Sequence, residues 1–341
     1  MRTLKQTARW EENYMTLYRD TIKRAFTIAW QYKFLWFFGL FATVVGSGGE
    51  IGFLINSVND LTSQTSDAGT LQSLLIIKAW IIAFGNILSL PFLTIVSLAG
   101  LLLFFMAIIW LVFTSIGGII GATAAIEQGK RQTADHVWKV GIKNFIPVLG
   151  VNIAAKIIMM ILLLVGLPLV LGGLSETNIK GAALFVLYFV IIFLPAIFII
   201  SFITKYAMAY IVIRNKPFDQ AIASAVKLFR DNWLVSIEMA LTVFGVYIVA
   251  GLTYIIISGI ITYTFKIVSL VGYTIIPSAL GWTIVSTTLA FLMYGAVLLL
   301  LGSFLAVIEY VAWTKLFLKI EEGKATSKIL RLAGALPKYL R

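Results

Sequence analysis

Charged residues stand inside long apolar runs of this chain, and three of them, Lys156, Lys205 and Glu238, lie away from breaks and run ends. Charge in hydrocarbon is costly, and it is retained for solute or ion pathways, for headgroup binding, or as a neutralised pair. Lys156 lies about eleven residues into its run, or about 16 Å at helical rise, too deep for its side chain to reach the interface fully. Lys205 and Glu238 lie at similar distances from a charged junction, on runs joined by one short linker, so they are expected to pair. Two roles are open. In one, all three line a polar cavity that holds an anionic headgroup or a translocated solute. In the other, Lys205 and Glu238 neutralise each other inside a bundle, and Lys156 finds carbonyls or local water. Glu309, near the end of the last run, is expected within reach of water.

Other chemistry has few residues to work with. The chain has no cysteine, which removes disulfides, iron–sulfur clusters, thiolate zinc sites and covalent c-type haem. His136 is the one histidine, in the polar stretch TADHVWK, and reads as a surface residue rather than part of a metal site or a serine–histidine triad. There is no GxxxxGK[ST] loop, G-x-S-x-G elbow or HExxH pair. A non-enzymatic protein without a cofactor is expected.

The elements that must position these charges follow from composition. Of 341 residues 60% are hydrophobic and 12% charged, against about 25% charged in a soluble domain, so most of the chain is solvated by lipid. A hydrocarbon core of about 30 Å takes about 20 apolar residues of helix, and backbone groups in lipid leave no alternative to helix here. Six runs qualify, at roughly 34–57, 90–113, 145–171, 183–212, 233–262 and 284–313. Gly46, Ser47, Gly48 and Gly49 interrupt the first, where a break is expected, with Glu50 beside it. Residues 58–70 form a polar loop, and residues 71–88, carrying Lys78, read as an interfacial or re-entrant helix. The first 33 residues hold seven Lys/Arg and do not read as a secretory signal.

Basic residues orient the spans. Residues 1–33 hold seven, 127–144 four, 213–232 four and the segment from Lys315 seven, which is 22 of the 27 in a chain of net charge +12. The opposite side holds Lys78, Lys180 and Lys266. By the positive-inside rule both termini face the cytoplasm of a cell inner membrane. The domain reading is a cytoplasmic segment 1–33, a membrane domain 34–313 and a basic cytoplasmic tail 314–341.

The membrane domain repeats itself. IEQGK from Ile126, IRNK from Ile213 and IEEGK from Ile320 each close a returning span, and KFLWFF from Lys33, KNFIPV from Lys143 and DNWLVS from Asp231 each open a new one. The unit is an amphipathic helix, an outgoing span and a returning span, over about 18–126, 127–213 and 214–320, in parallel topology about an axis along the membrane normal. Helical periodicity gives the amphipathic helices apolar faces at Ile22, Ala25, Phe26, Ala29 and Trp30, at Ala134, Val137, Trp138 and Gly141, and at Ile222, Ala225, Val226 and Phe229. They serve as joints beneath the bundle or as contacts for anionic headgroups, with Lys23, Arg24, Lys139, Lys143, Lys227 and Arg230 as the contacting residues. The glycines of IEQGK and IEEGK are expected to end helices in the left-handed conformation. Gly117 with Gly121, and Gly48 with Gly52, form GxxxG pairs for close packing. Trp10, Trp30, Trp36, Trp233, Trp282 and Trp313 are expected as interfacial anchors, and Pro195 as a hinge within its span.

In the texture of its junctions, an amphipathic segment followed by FLWFFGLF and later by IExGK and NWL entries, the chain resembles the membrane domain found ahead of some bacterial glycerophosphodiester phosphodiesterases and its stand-alone six-span relatives. The resemblance covers most of residues 20–320 and implies architecture and a lipid-related setting; the catalytic domain of those enzymes has no counterpart. The expectation is an all-α integral membrane protein of about six spans in three hairpins, with membrane lipids, anionic at the cytoplasmic face, as partners and no nucleic acid. Its role is lipid or envelope organisation, with transport of a small or amphipathic solute as the alternative. Because the chain lacks cysteine, single-cysteine variants report its orientation. Gln132→Cys should react with an impermeant maleimide from the cytoplasmic face alone and Thr177→Cys from the opposite face alone; the reverse pattern would overturn the orientation.

Overall fold

The computed structural model describes residues 17–43, 91–173, 179–275, 279–323 and 325, with no strand among them. The helices are α1 (Leu17–Gln31), α2 (Leu35–Ala42), α3 (Pro91–Glu127), α4 (Ala134–Lys143), α5 (Phe145–Gly173), α6 (Ile179–Tyr188), α7 (Leu194–Arg214), α8 (Phe218–Asp231), α9 (Trp233–Ile275) and α10 (Ala279–Glu321), with a π-helical stretch, Phe189–Phe193, joining α6 to α7. Among the described residues, five stretches are long and apolar enough to cross a membrane: Ile95–Glu127, Phe145–Gly166, Val186–Arg214, Trp233–Gly272 and Val285–Glu321. The first expected span enters the described residues through α2. Its glycine break with Glu50, the 71–88 helix with Lys78, and the tail beyond residue 325 lie outside them.

Sequence explains where α4 begins and where α4 and α8 end. Thr133 sits extended before α4 and its hydroxyl accepts from the His136 amide at 3.5 Å, an N-cap that leaves the His136 side chain exposed. At the corners into the spans, Asn144 donates to Val140 O at 2.9 Å and Asn232 to Leu228 O at 3.1 Å, so each satisfies a carbonyl at the end of its amphipathic helix. The returning helices stop as their terminal motifs require: Gly129 (φ +80°), Gly323 (φ +67°) and Asn215 (φ +50°) are all left-handed. Lys130 N then reaches back to Ala125 O at 3.0 Å and Lys216 N to Tyr210 O at 3.3 Å.

The buried faces of the amphipathic helices are narrower than periodicity implied. They are Leu17, Thr21, Ala25, Ile28 and Ala29 on α1, Val137 and Gly141 on α4, and Ala221 and Ala225 on α8. Trp30, Phe26 and Val226 are exposed instead. Small residues take the contact because the helices come very close: a Cβ on Gly141 would strike the backbone oxygen of Thr114 on α3, and one on Gly118 of α3 would lie 2.8 Å from Val137 O. At the start of the first expected span, a Cβ on Gly39 of α2 would strike Ser303 O of α10, whose hydroxyl donates to Trp36 O.

These contacts close a ring. Helix α4 packs on α3, α8 packs on α7, and α1 packs on α10, so each amphipathic helix lies on the returning helix that precedes it and the first lies on the last. The three returning helices meet one another inside this ring. Their buried side chains concentrate in the last stretches: Val112–Ile126, Phe202–Val212 and Ala306–Ile320. Toward the other end, Leu101–Phe105, Val190–Ile192 and Leu298–Leu300 are exposed. The core therefore sits at the end that carries the basic segments. Ion pairs latch that end: Glu127 accepts from Arg24 at 2.9 Å and meets Lys315 at 3.4 Å, while Arg214 meets Glu321 at 2.7 Å. Glu127, Arg214 and Glu321 occupy matching places in IEQGK, IRNK and IEEGK, and two of the three bind each other.

Three expectations change in detail. The helices outrun the hydrophobic windows, since α9 and α10 have 43 residues each. At Pro195 the π stretch precedes the proline, taking up the missing amide donor and the clash of its ring with the previous turn. Trp313 is 4% exposed, buried in the core instead of anchoring at an interface. Gly141→Ala should lower stability by about 1–3 kcal/mol through overpacking, whereas Gly245→Ala, which faces open space, should be neutral or stabilising by up to about 1 kcal/mol. Thermal unfolding in detergent measures both, and equal melting temperatures would refute the close approach.

Candidate functional site

The ring is not symmetric above the joints. In two of its interfaces the outgoing helix packs back on the preceding returning helix, α2 on α10 and α5 on α3. In the third, α9 meets α7 where the Tyr206 and Ser236 hydroxyls lie 2.7 Å apart, and then leaves α7 to pack along α10. A groove of about 1070 Å³ opens between them. Its walls are Leu194, Phe198 and Phe202 on one side and Ile237, Ala240 and Phe244 on the other, with Phe229 of α8 as floor. From Trp233 to Phe244 it runs about 16 Å at helical rise, close to half of a hydrocarbon core of about 30 Å. Arg230 and Trp233 stand at its basic end. An apolar channel one leaflet deep with a cation at its mouth has the dimensions of acyl chains below a headgroup. Its volume is at the top of the range of about 300–1,000 Å³ for small-molecule sites.

Behind the groove lies the buried charge. Lys205 Nζ meets Glu309 Oε1 at 2.8 Å, with Glu309 2% exposed, and Tyr247 donates to Glu309 Oε2 at 2.6 Å. The Lys205 ammonium also stands 4.8 Å from the centre of the Trp313 ring. Glu238 accepts from the Tyr18 hydroxyl, which ties α9 to α1. A desolvated pair in this setting is held by its full set of partners, because a charge left alone would have no water.

Lys205 meets Glu309 on the last span, and Glu238 accepts from Tyr18 on the first amphipathic helix. Glu309 is buried between helices, not within reach of water. Lys156 stands apart on the exposed face of α5 between exposed Ile153 and Ile157. Depth along single helices does not single out Glu309: it lies about twelve residues before the end of its helix, Lys205 about nine before the end of its own, and Glu238 about seven past Asp231. Among the expected headgroup contacts, Arg24 is engaged by Glu127, Lys139 by Asp135 at 2.7 Å, and Lys143 donates to Asn215 at 3.3 Å. Lys23 and Lys227 are exposed, and Arg230, 3.6 Å from Asp231, lines the groove.

Fold and site together define a multi-pass helical membrane protein. Comparison with protein-family models, with curated proteins and with solved structures finds no match. Lys205→Met should destabilise the protein by about 3–5 kcal/mol because it removes the cation beside a buried carboxylate, and Glu309→Met should destabilise it by removing the carboxylate beside Lys205. The double variant should be more stable than either single one. Denaturation of all three in detergent gives the coupling, and additive losses would contradict a desolvated pair.

Proposed function

We propose that this chain is a non-catalytic lipid-binding protein of a cell inner membrane, which holds a phospholipid in the groove between α7 and α9 and serves lipid or envelope organisation. The observation that carries this reading is the groove: about 1070 Å³, walled by apolar side chains, one leaflet deep, and ended by Arg230 and Trp233. Chains would lie along Phe198, Ile203, Ala240 and Phe244, and the headgroup phosphate beside Arg230. Charge at the mouth favours anionic lipid by about 1 kcal/mol per basic residue. Transport through the centre is the weaker reading, because Lys205 and Glu309 are enclosed by packed helices.

The architecture belongs to the proposal as well. Six spans in three hairpins are supported by the cyclic order of amphipathic helix, outgoing helix and returning helix, and by the matching ends at Gly129, Asn215 and Gly323. Cytoplasmic termini are supported by the concentration of Lys and Arg at the end where the core sits. The likeness to the membrane domain of glycerophosphodiester phosphodiesterases agrees with a lipid setting.

Ala240→Trp fills the groove with a side chain at its narrow wall. Native mass spectrometry of the purified protein should find a phospholipid retained by the wild type and lost, or reduced severalfold, in Ala240→Trp. Ile203→Trp should act the same way from the opposite wall. Equal retention by all three would sink the groove as the lipid site.

A further inference from the structure

The α9–α10 hairpin carries a second set of polar groups, far from the groove mouth. Between Glu238 and Glu309 the sequence contains one charged residue, Lys266. The two helices run antiparallel in constant register, with Tyr247 opposite Glu309, Thr262 opposite Tyr294 at 2.5 Å, and Ser269 opposite Ser286 at 3.1 Å. Interhelical hydroxyl pairs of this kind hold helices together in lipid. They have no need of a lysine. Yet Lys266 lies on the same side of α9, one turn from Thr262 and from Ser269, and a pocket of about 340 Å³ opens there, lined by Lys266, Thr262, Ser269, Ser286, Thr287 and Tyr294. Its ammonium is 6.0 Å from the Tyr263 ring.

Depth decides what this pocket can meet. Lys266 is 33 residues along from Trp233, or about 50 Å of helix. Even at a tilt of about 40° that is about 38 Å along the normal, beyond a core of about 30 Å and within a bilayer of about 40–45 Å including headgroups. The cation and its hydroxyls thus stand at the headgroup level of the leaflet opposite the groove, flanked by exposed Ile267, Leu270 and Leu289 that suit acyl chains.

We propose that the Lys266 pocket binds a phosphate oxyanion, presented by the headgroup of a phospholipid in that opposite leaflet. The ammonium neutralises the phosphate and the Thr287 hydroxyl donates to one of its oxygens, while Thr262, Ser269 and Tyr294 keep their bonds to Ser258, Ser286 and Thr262 and give the pocket its polar wall. This site does not depend on the groove.

The test uses the full chain in nanodiscs, with an environment-sensitive dye on Leu289→Cys, its sole cysteine. Phosphatidylglycerol titrated into phosphatidylcholine discs should shift the dye emission. Lys266→Gln should raise the fraction needed for half the shift by about fivefold, the effect of one basic residue near a membrane. Lys266→Arg should retain the wild-type response, and Thr287→Val should weaken it with less risk to folding. Ala240→Trp should leave it unchanged, which separates this site from the groove. Inorganic phosphate giving the same shift in phosphatidylcholine discs would support phosphate recognition and assign it to a soluble source. Equal responses of wild type and Lys266→Gln, or no response to either probe, would overturn the proposal.

Discussion

Close backbone approach between an amphipathic helix and the returning helix before it is the contact on which the rest of this structure depends. In lipid, apolar side chains have no water to escape, so burial of leucine does not draw helices together. Association must come from surfaces that fit. Gly141 against Thr114 and Gly118 against Val137 supply such a surface between α4 and α3, and Gly39 of α2, at the start of the first span, supplies another against Ser303 of α10. The result is a bundle joined at one end, where Val112–Ile126, Phe202–Val212 and Ala306–Ile320 interlock, with apolar exposed helices at the other. Glu127, Arg214 and Glu321 add charge-assisted bonds to the same joint, using positions that correspond from one returning helix to the next.

The joint also explains why the groove lies where it does. Each outgoing helix leaves its corner at Lys33–Phe34, Asn144 or Asn232, and whether it then follows the preceding returning helix depends on side chains above the corner. Helices α2 and α5 follow theirs, while α9 is held to α10 by Tyr247–Glu309, Thr262–Tyr294 and Ser269–Ser286. The polar rungs run along the α10 side of α9, and the apolar space lies on its α7 side.

Much of the architecture could be read from residue order. Apolar runs, basic junctions and the recurring helix ends IEQGK, IRNK and IEEGK mark local events, each decided within a few residues: a run long enough to cross, a glycine or asparagine able to turn left-handed, an asparagine able to satisfy the last carbonyls. Periodicity also located the amphipathic helices. It misjudged part of their buried faces: on α1 the contact takes Ala25, Ile28 and Ala29, while the larger Phe26 and Trp30 lie on the exposed side. Trp313 was misplaced for a related reason: its position near a span end says nothing of α7, whose Phe202, Lys205 and Tyr206 lie against its ring.

The pairing of the intramembrane charges belongs to this second kind. Sequence alone determined that Lys205, Glu238 and Lys156 lie in apolar runs, and that Lys and Arg gather at one end, since both depend on composition along a single helix. Only the tertiary structure decided that Lys205 meets Glu309, that Glu238 meets Tyr18, and that Lys156 faces outward. A buried charge takes the partner that helix packing brings within about 3 Å, and the helices that meet here, α7 with α10 and α9 with α1, are far apart in the chain.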